Sequence, residues 1–245
     1  MDTTLLAVGG VLFVAYAAQT ISGFGATVIA LALGAQLLPI PALLLLVVPL
    51  TFLQTGYIAV RHRTGIDWRF LGLRILPLMS LGVIGGILIT PYLEGGWLRT
   101  GFAALVLLLS GRELWLLLGP RRGLGRPLPR PVAAAMIGAA GVIHGVYATG
   151  GPLLVYAVTR SGMAKHAFRS TITVVWIPLN VLLMISYVQQ GAFDREVLEA
   201  IAWVSPSVPL GIVAGELLHH RVDQRRFNII TFALLCAAAI SLLVR

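Results

Sequence analysis

Long apolar stretches separated by short polar loops dominate the chain. They fall at about residues 4–36, 41–60, 70–91, 97–118, 132–160, 168–190, 197–218 and 225–244. A helix that crosses the hydrocarbon core of a bilayer needs roughly 20 apolar residues. The first stretch covers about 34 residues, or roughly 50 Å as one straight helix, and the fifth is also too long for a single crossing. We therefore predict an all-α polytopic membrane protein whose first and fifth segments are broken.

The two halves of the chain resemble each other. Glycine and proline patterns recur at offsets of 125 to 129 residues: Pro77-x4-Gly82-x3-Gly86 as Pro206-x4-Gly211-x3-Gly215, Gly25 as Gly150, and Gly65-Ile-Asp67 loosely as Gly191-Ala-Phe-Asp194. The constant order of these matches predicts two homologous halves, residues 1–118 and 132–245, joined by a basic linker at 119–131. The Gly-x3-Gly pairs are typical of close helix packing in lipid.

Basic residues indicate how the halves are oriented. If each long segment is a re-entrant hairpin, the loops at 61–74, 119–131, 160–169 and 219–226 share one face, which then holds 15 of the 18 Lys and Arg residues. If each long segment crosses the membrane only once, 11 of the Lys and Arg residues lie inside and 7 lie outside. Because Lys and Arg collect on the cytoplasmic side, the count favours hairpins and inverted repeats. It places both termini outside a bacterial inner membrane that the chain crosses several times.

Composition supports this assignment. Only 11% of the residues are charged and 58% are hydrophobic, whereas soluble domains are about 25% charged. The net charge of +9 is explained by cytoplasmic loops, so no nucleic-acid partner is expected. Glu216-x2-His219-His220 combines metal-ligating residue types, but a short cluster at a helix end favours solvated interface residues. We expect the lipid bilayer and a small anion as partners, with no metal and no cofactor, and the sequence does not indicate an oligomeric state.

Two polar, glycine-rich stretches interrupt the long segments, at residues 19–27 and 144–152. A broken helix exposes unpaired backbone N–H groups near the membrane midplane, where an anion can bind. Two such stretches facing each other can surround an oxyanion with N–H and O–H donors. The predicted substrate-binding residues are Gln19, Ser22, Gly23, Gly25 and Thr27 in the first stretch and His144, Tyr147, Thr149, Gly150 and Gly151 in the second. The alternative is that these glycines only let helices cross.

Four of the polar residues allow two interpretations each. His144 is an ionisable group inside an apolar segment, where such groups often mark ion or proton routes, although a neutral core histidine is the alternative. Gln54 and Asn180, 126 residues apart, either bind substrate or join helices. Arg169 either attracts an anion from the inner side or is an ordinary cytoplasmic residue. We predict substrate contact for all four and proton coupling through His144.

Some of these motifs also make the chain resemble the sulfite exporter TauE/SafE family. They are Gly23-Phe-Gly25 before a long apolar run, Gly65-x-Asp67-Trp68, and Gly150-Gly151-Pro152 followed by His166-Ala-Phe-Arg169. The resemblance spans almost the whole chain. It implies a bacterial permease for sulfite, organosulfonates or related small anions, with residues 19–27, 144–152 and Asn180 along the substrate path. Many relatives have a longer glycine run where this chain has Gly23-Phe24-Gly25-Ala26.

These features together predict a secondary transporter that moves a small anion by alternating access, and no enzyme. The chain lacks the Gly-x4-Gly-Lys-Ser/Thr loop of nucleotide-driven pumps. Two other functions remain open. A passive anion channel would use the same donors, and an intramembrane enzyme would use Ser22 or His144, although neither has an acidic partner within the membrane.

Overall fold

A computed structural model of the chain describes residues 3–22, 25–61, 65–93, 96–119, 128–159, 165–219 and 223–244. Throughout these ranges the regular structure is helical, with no β-strand. The helices are α1 (Thr3–Ser22), α2 (Ala26–Gly34), α3 (Ile40–Arg61), α4 (Trp68–Phe70), α5 (Leu76–Ile89), α6 (Gly96–Leu118), α7 (Arg130–Tyr147), α8 (Gly151–Thr159), α9 (Lys165–Gln189), α10 (Arg195–Val204), α11 (Ser207–His219) and α12 (Gln224–Val244). The predicted all-α class is confirmed.

Helices in the described ranges provide seven segments that are long and apolar enough to cross a membrane. They are Thr3–Ile21, Ile40–Tyr57, Trp68–Tyr92, Gly96–Leu118, Thr171–Gln189, Arg195–Leu218 and Arg225–Val244. The third is continuous because a π-helical stretch, Leu71–Ile75, joins α4 to α5. The sixth contains both α10 and α11. The chain is therefore a multi-pass membrane protein.

Both long apolar segments are broken, and each break divides its segment unevenly. The first becomes α1, of 20 residues, and α2, of 9 residues; the second becomes α7, of 18 residues, and α8, of 9 residues. At a rise of 1.5 Å per residue the long arms measure about 30 Å and 27 Å and the short arms about 14 Å. A long arm alone therefore approaches the thickness of the hydrocarbon core.

Packing divides the chain into two compact units, and each unit draws on both halves of the sequence. Unit 1 comprises Met1–Val47, Leu93–Gly123 and Arg195–Arg245, and unit 2 comprises Val48–Tyr92 and Leu124–Asp194. In unit 1, α1 packs against α2 and α11, and α6 packs against α12. In unit 2, α5 packs against α7 and α9, and α7 packs against α8. The division into halves at 1–118 and 132–245, and their inverted orientation, stay predictions.

In unit 2, α5 and α7 approach each other until their backbones touch. A Cβ atom at Gly82 would lie 2.9 Å from the Cα of Gly141, and one at Gly86 would lie 2.8 Å from the Cα of Gly145. Real Cβ atoms are not found so close to backbone, so only glycine fits here. Small residues at such contacts give lipid-embedded helices their packing surface. The Gly-x3-Gly motif of α5 therefore has the structural role expected from its sequence.

Unit 1 has a corresponding helix pair, α1 and α11. A Cβ atom at Gly211 would lie 2.8 Å from the Cβ of Tyr16, and one at Gly215 would lie 2.5 Å from the Cβ of Thr20. Here only α11 supplies glycine, and α1 presents side chains. Both of these α1 residues are buried. The second Gly-x3-Gly motif thus also serves close packing, against a bulkier partner.

Candidate functional site

The first break is stabilised by a side chain of its own segment. α1 ends at Ser22, and α2 begins after Gly25, which has a φ of 99° that favours glycine. The side-chain oxygen Oε1 of Gln19 accepts a hydrogen bond of 2.9 Å from the backbone N–H of Ala26. This bond satisfies one of the N–H groups that the start of a helix leaves without a partner. Gln19 therefore acts as a cap on α2.

At the second break the chain folds back along its own helix. α7 ends with Ala148 in the left-handed region at a φ of 51°, a conformation that alanine rarely adopts. A Cβ atom at Gly150 would overlap the carbonyl oxygen of Ala140 and lie 3.2 Å from the Cβ of His144. In a straight helix, residues 140 and 150 would be about 15 Å apart. The chain thus reverses before α8 begins at Gly151.

His144 lies at this reversal and contacts two side chains of α9. Its Nε2 atom is 3.1 Å from Oδ1 of Asn180. Its ring stacks on the ring of Trp176, with centroids 5.3 Å apart and an angle of 27° between the planes. All three residues are buried. A polar group so placed normally has every donor and acceptor satisfied. However, Nδ1 of His144 has no hydrogen-bond partner among the residues that the structure describes.

Trp176 connects this cluster to the start of α8. Two carbons of its ring lie 3.6 and 3.7 Å from the position of a Cβ at Gly151. The tryptophan therefore covers the first residue of α8 while it stacks on the imidazole. Helix N-termini carry a partial positive charge and free N–H groups. The start of α8 thus lies beside an imidazole, an indole and an amide. We call the four residues involved the α8 cluster: Gly151, His144, Trp176 and Asn180.

Sequence reasoning did not single out Trp176. A signal existed, because Trp176 and Asn180 are four residues apart and so share one face of a helix. Both reach the same imidazole. A tryptophan one turn before a predicted binding amide is therefore informative when a histidine interrupts a neighbouring apolar segment.

The predicted site residues divide between the two units. Gln19, Gly25 and Thr27 lie in unit 1, whereas Gln54, Tyr147, Thr149, Gly150 and Gly151 lie in unit 2 with His144 and Asn180. Gln54 is fully buried on α3, and Thr27 and Thr149 are also buried. Ser22 ends α1, but its side chain, like that of Arg169 on α9, is outside the described residues, as is the whole of Gly23. These assignments stay predictions.

The helices that surround the α8 cluster carry no acidic residue. α5, α7, α8 and α9 contain neither Asp nor Glu in their sequences. Asp67 lies before α4, where its carboxylate accepts a bond from Phe70 N and its own N–H donates to Thr171 of α9, both at 2.9 Å. Over the described ranges, no group of three or more His, Cys, Asp and Glu residues is placed to hold a metal ion. The cluster is thus free of competing negative charge from these helices.

Comparison with known proteins identifies one family. The model of the family described as "Sulfite exporter TauE/SafE" matches residues 8–242 of the chain. The match includes both breaks and every residue of the α8 cluster. No curated protein and no solved structure matches the chain.

Proposed function

Because the chain belongs to the sulfite exporter TauE/SafE family, we propose that it is a secondary transporter of a small oxyanion. Sulfite, or an organosulfonate such as methanesulfonate, is the proposed substrate class. The transporter works in a bacterial inner membrane by alternating access, and its two sequence halves are inverted repeats. It carries out no chemical reaction on its cargo.

One observation carries this proposal: the Cβ of His144, whose Nδ1 is buried and has no hydrogen-bond partner among the described residues, lies beside Gly150, the residue before α8. Ionisable residues inside membrane segments are costly and usually functional. An anion at this position would find the positive end of α8 on one side and no carboxylate from the surrounding helices. The ring of Trp176 supplies an apolar wall, which suits the organic part of a sulfonate.

A flux assay on purified protein in liposomes tests the proposal. Radiolabelled sulfite and a panel of labelled sulfonates are offered outside, with unlabelled anion inside. A carrier gives saturable uptake that unlabelled anion on the opposite side accelerates. Uptake without saturation and without this acceleration would indicate a channel instead. Protein-free liposomes provide the background, and no flux of any tested anion above it would contradict transport altogether.

The role of the α8 cluster is tested by two tryptophan variants. Trp176→Leu removes the ring that stacks on His144 and covers Gly151; stacked aromatic pairs contribute about 0.5–1.5 kcal/mol. We expect the concentration for half-maximal uptake to rise about tenfold. Trp203→Leu is the matched control, because Trp203 is 62% exposed and lies on α10, and it should leave uptake unchanged. Equal behaviour of the two variants would remove Trp176 from the site.

A further inference from the structure

The α8 cluster fixes which nitrogen of His144 carries hydrogen. The atom of Asn180 that faces Nε2, at 3.1 Å, is the amide oxygen Oδ1. A carbonyl oxygen only accepts hydrogen bonds, so Nε2 must donate. In the neutral ring, Nδ1 then holds a lone pair and acts as an acceptor. Asn180 thus determines that the free side of the imidazole attracts a proton.

This lone pair is buried and unsatisfied. Nδ1 has no accessible surface of note and no hydrogen-bond partner within the described part of the chain. Leaving a buried acceptor without a bond is unfavourable, so the arrangement needs another group to complete it. The Cβ of His144 is beside Gly150, and the stacked Trp176 covers Gly151. The missing group is therefore expected where an anion at the start of α8 would bind.

An oxyanion alone cannot complete the cluster, because its oxygen lone pairs would face the lone pair of Nδ1. A proton on Nδ1 reverses the interaction. It converts an acceptor into a charged donor, and charge-assisted bonds of this kind are about twice as strong as neutral ones. It also supplies a positive charge at the site.

We propose that His144 takes up a proton at Nδ1 when the anion binds, and that the two cross the membrane together. The inference rests on the proposed transport function and names its coupling ion. The proton comes from the aqueous side from which the anion enters and leaves on the side where the anion is released. No bond within the anion changes. With a monovalent anion the cycle is electroneutral.

The helices of the α8 cluster and α5 carry few other ionisable groups. α5 has no titratable side chain, and α8 has only Tyr156. On α7 the others are Tyr147 and Arg130, and Arg130 is about 21 Å from His144 along the helix. On α9 they are Lys165, His166, Arg169 and Tyr187. The three basic residues belong to its first two turns, and Tyr187 is about 16 Å beyond Trp176 along the axis.

The test uses the sulfonate that exchanges fastest in the flux assay, because a sulfonate stays ionised and cannot carry the proton itself. A gradient of one pH unit, acidic outside, should drive about a tenfold accumulation of the anion, since one unit corresponds to a factor of ten. Clamping the membrane potential with valinomycin and potassium should not change this ratio. A trapped pH dye should report one proton per anion.

The decisive variant is His144→Gln. Glutamine keeps a donor toward Asn180 but cannot take up the proton, and Gln19 already occupies the position 125 residues earlier in the repeat. We expect anion exchange to weaken, because the charged donor is lost, and the accumulation ratio of the exchange that remains to fall from about ten to one. Unchanged proton-driven accumulation by the variant would overturn the inference. If the variant also loses exchange, the number of protons that the wild-type protein moves per anion tests the inference. A ratio of one supports proton coupling, and a ratio of zero contradicts it.

Other outcomes separate this inference from the proposed function. Saturable exchange without any proton flux would leave the transporter standing and reject proton coupling. Absence of exchange would reject both. If sulfite alone is transported, a proton that travels on the substrate would persist in His144→Gln, and this result would reject the role of Nδ1.

Asn180 is a positioning residue in this scheme. Asn180→Leu removes the acceptor that directs the Nε2 hydrogen, so we expect proton-driven uptake to reach half its maximum at a more acidic pH. Asn180→Gln should restore the original profile in part. Asn228→Leu on α12 is the matched control, and a pH profile displaced equally by both leucine variants would show that Asn180 has no special role.

Discussion

The two breaks occupy equivalent positions in the sequence but are stabilised differently. α2 and α8 both have nine residues and begin 125 positions apart, and Gln19 and His144 are separated by the same offset. Gln19 accepts a bond from the backbone of α2, the short helix of the same broken segment, whereas His144 bonds to Asn180 on α9, a helix of another segment. A side chain that caps its own break completes the local structure. One held by a distant helix leaves a polar atom available for a ligand.

The helix pairs beside the two breaks also differ, in the residues that face the Gly-x3-Gly motifs. α7 presents Gly141 and Gly145 to the glycines of α5, while α1 presents Tyr16 and Thr20 to those of α11. These α1 residues precede their α7 counterparts by 125 positions. The glycines of α5 therefore meet glycines, whereas those of α11 meet side chains as well as backbone. The α5–α7 contact thus has glycine on both sides, and the α1–α11 contact has glycine on one side only.

The largest expected effect comes from Gly86→Leu, which forces α5 away from Gly145. Backbone on the facing helix cannot move aside as a flexible side chain does, so we expect a loss of about 3 kcal/mol in the free energy of unfolding. The unfolding temperature of purified protein in detergent measures it. Gly85→Leu is the control, because a Cβ at Gly85 meets nothing within 4 Å. Similar melting of both variants would refute the idea that closeness matters.

A second experiment tests whether Gln19, at the first break, serves only as a cap. Gln19→Leu removes the cap on α2 and should cost about 1 kcal/mol of stability. Gln19→Glu keeps an oxygen acceptor at a helix N-terminus, where negative charge is favourable, but it buries a carboxylate, so it should keep the cap and still be less stable than the wild type. Anion affinity is the discriminating measurement. If Gln19 contacts the substrate, Gln19→Glu will repel it, whereas a pure cap will leave transport nearly unchanged.

Effects of similar size are expected at the turns themselves. Ala148→Gly relieves a left-handed alanine and should stabilise the protein by about 1 kcal/mol. Gly25→Ala should destabilise the protein by about 1–2 kcal/mol, because it places an alanine in a left-handed backbone conformation. The added Cβ itself meets no atom within 4 Å. Thermal unfolding measures both. Shifts of the same sign in the two variants would contradict equivalent turns.

Much of the fold was predictable because membrane insertion imposes a simple pattern. Helix lengths, the two breaks and the packing role of the Gly-x3-Gly motifs followed from apolar run length and small residues. The unequal arms did not, because nothing in residues 19–27 or 144–152 marks which of several glycines ends the helix. Ala148 is a clear case: alanine favours helix, so its left-handed turn has no sequence signal.

The sequence pointed to individual residues of the candidate site, but not to the contacts between them. His144 and Asn180 were both expected near substrate, since polar groups in apolar segments are rare. Their hydrogen bond was not, because helical periodicity gives the face of each helix but not its rotation toward a neighbour. Trp176 was missed for a related reason: its hydropathy suits lipid, interface and core alike, and only its contact with His144 distinguishes these environments.

The composition of the two units has a consequence for biosynthesis. In unit 2, α5 meets α7 soon after both are made, because about 40 residues separate them. In unit 1, α1 must wait for α11, close to 190 residues later, which takes about 10–40 s at 5–20 residues per second. The face of α1 that packs against α11 therefore meets this partner much later than α5 meets α7.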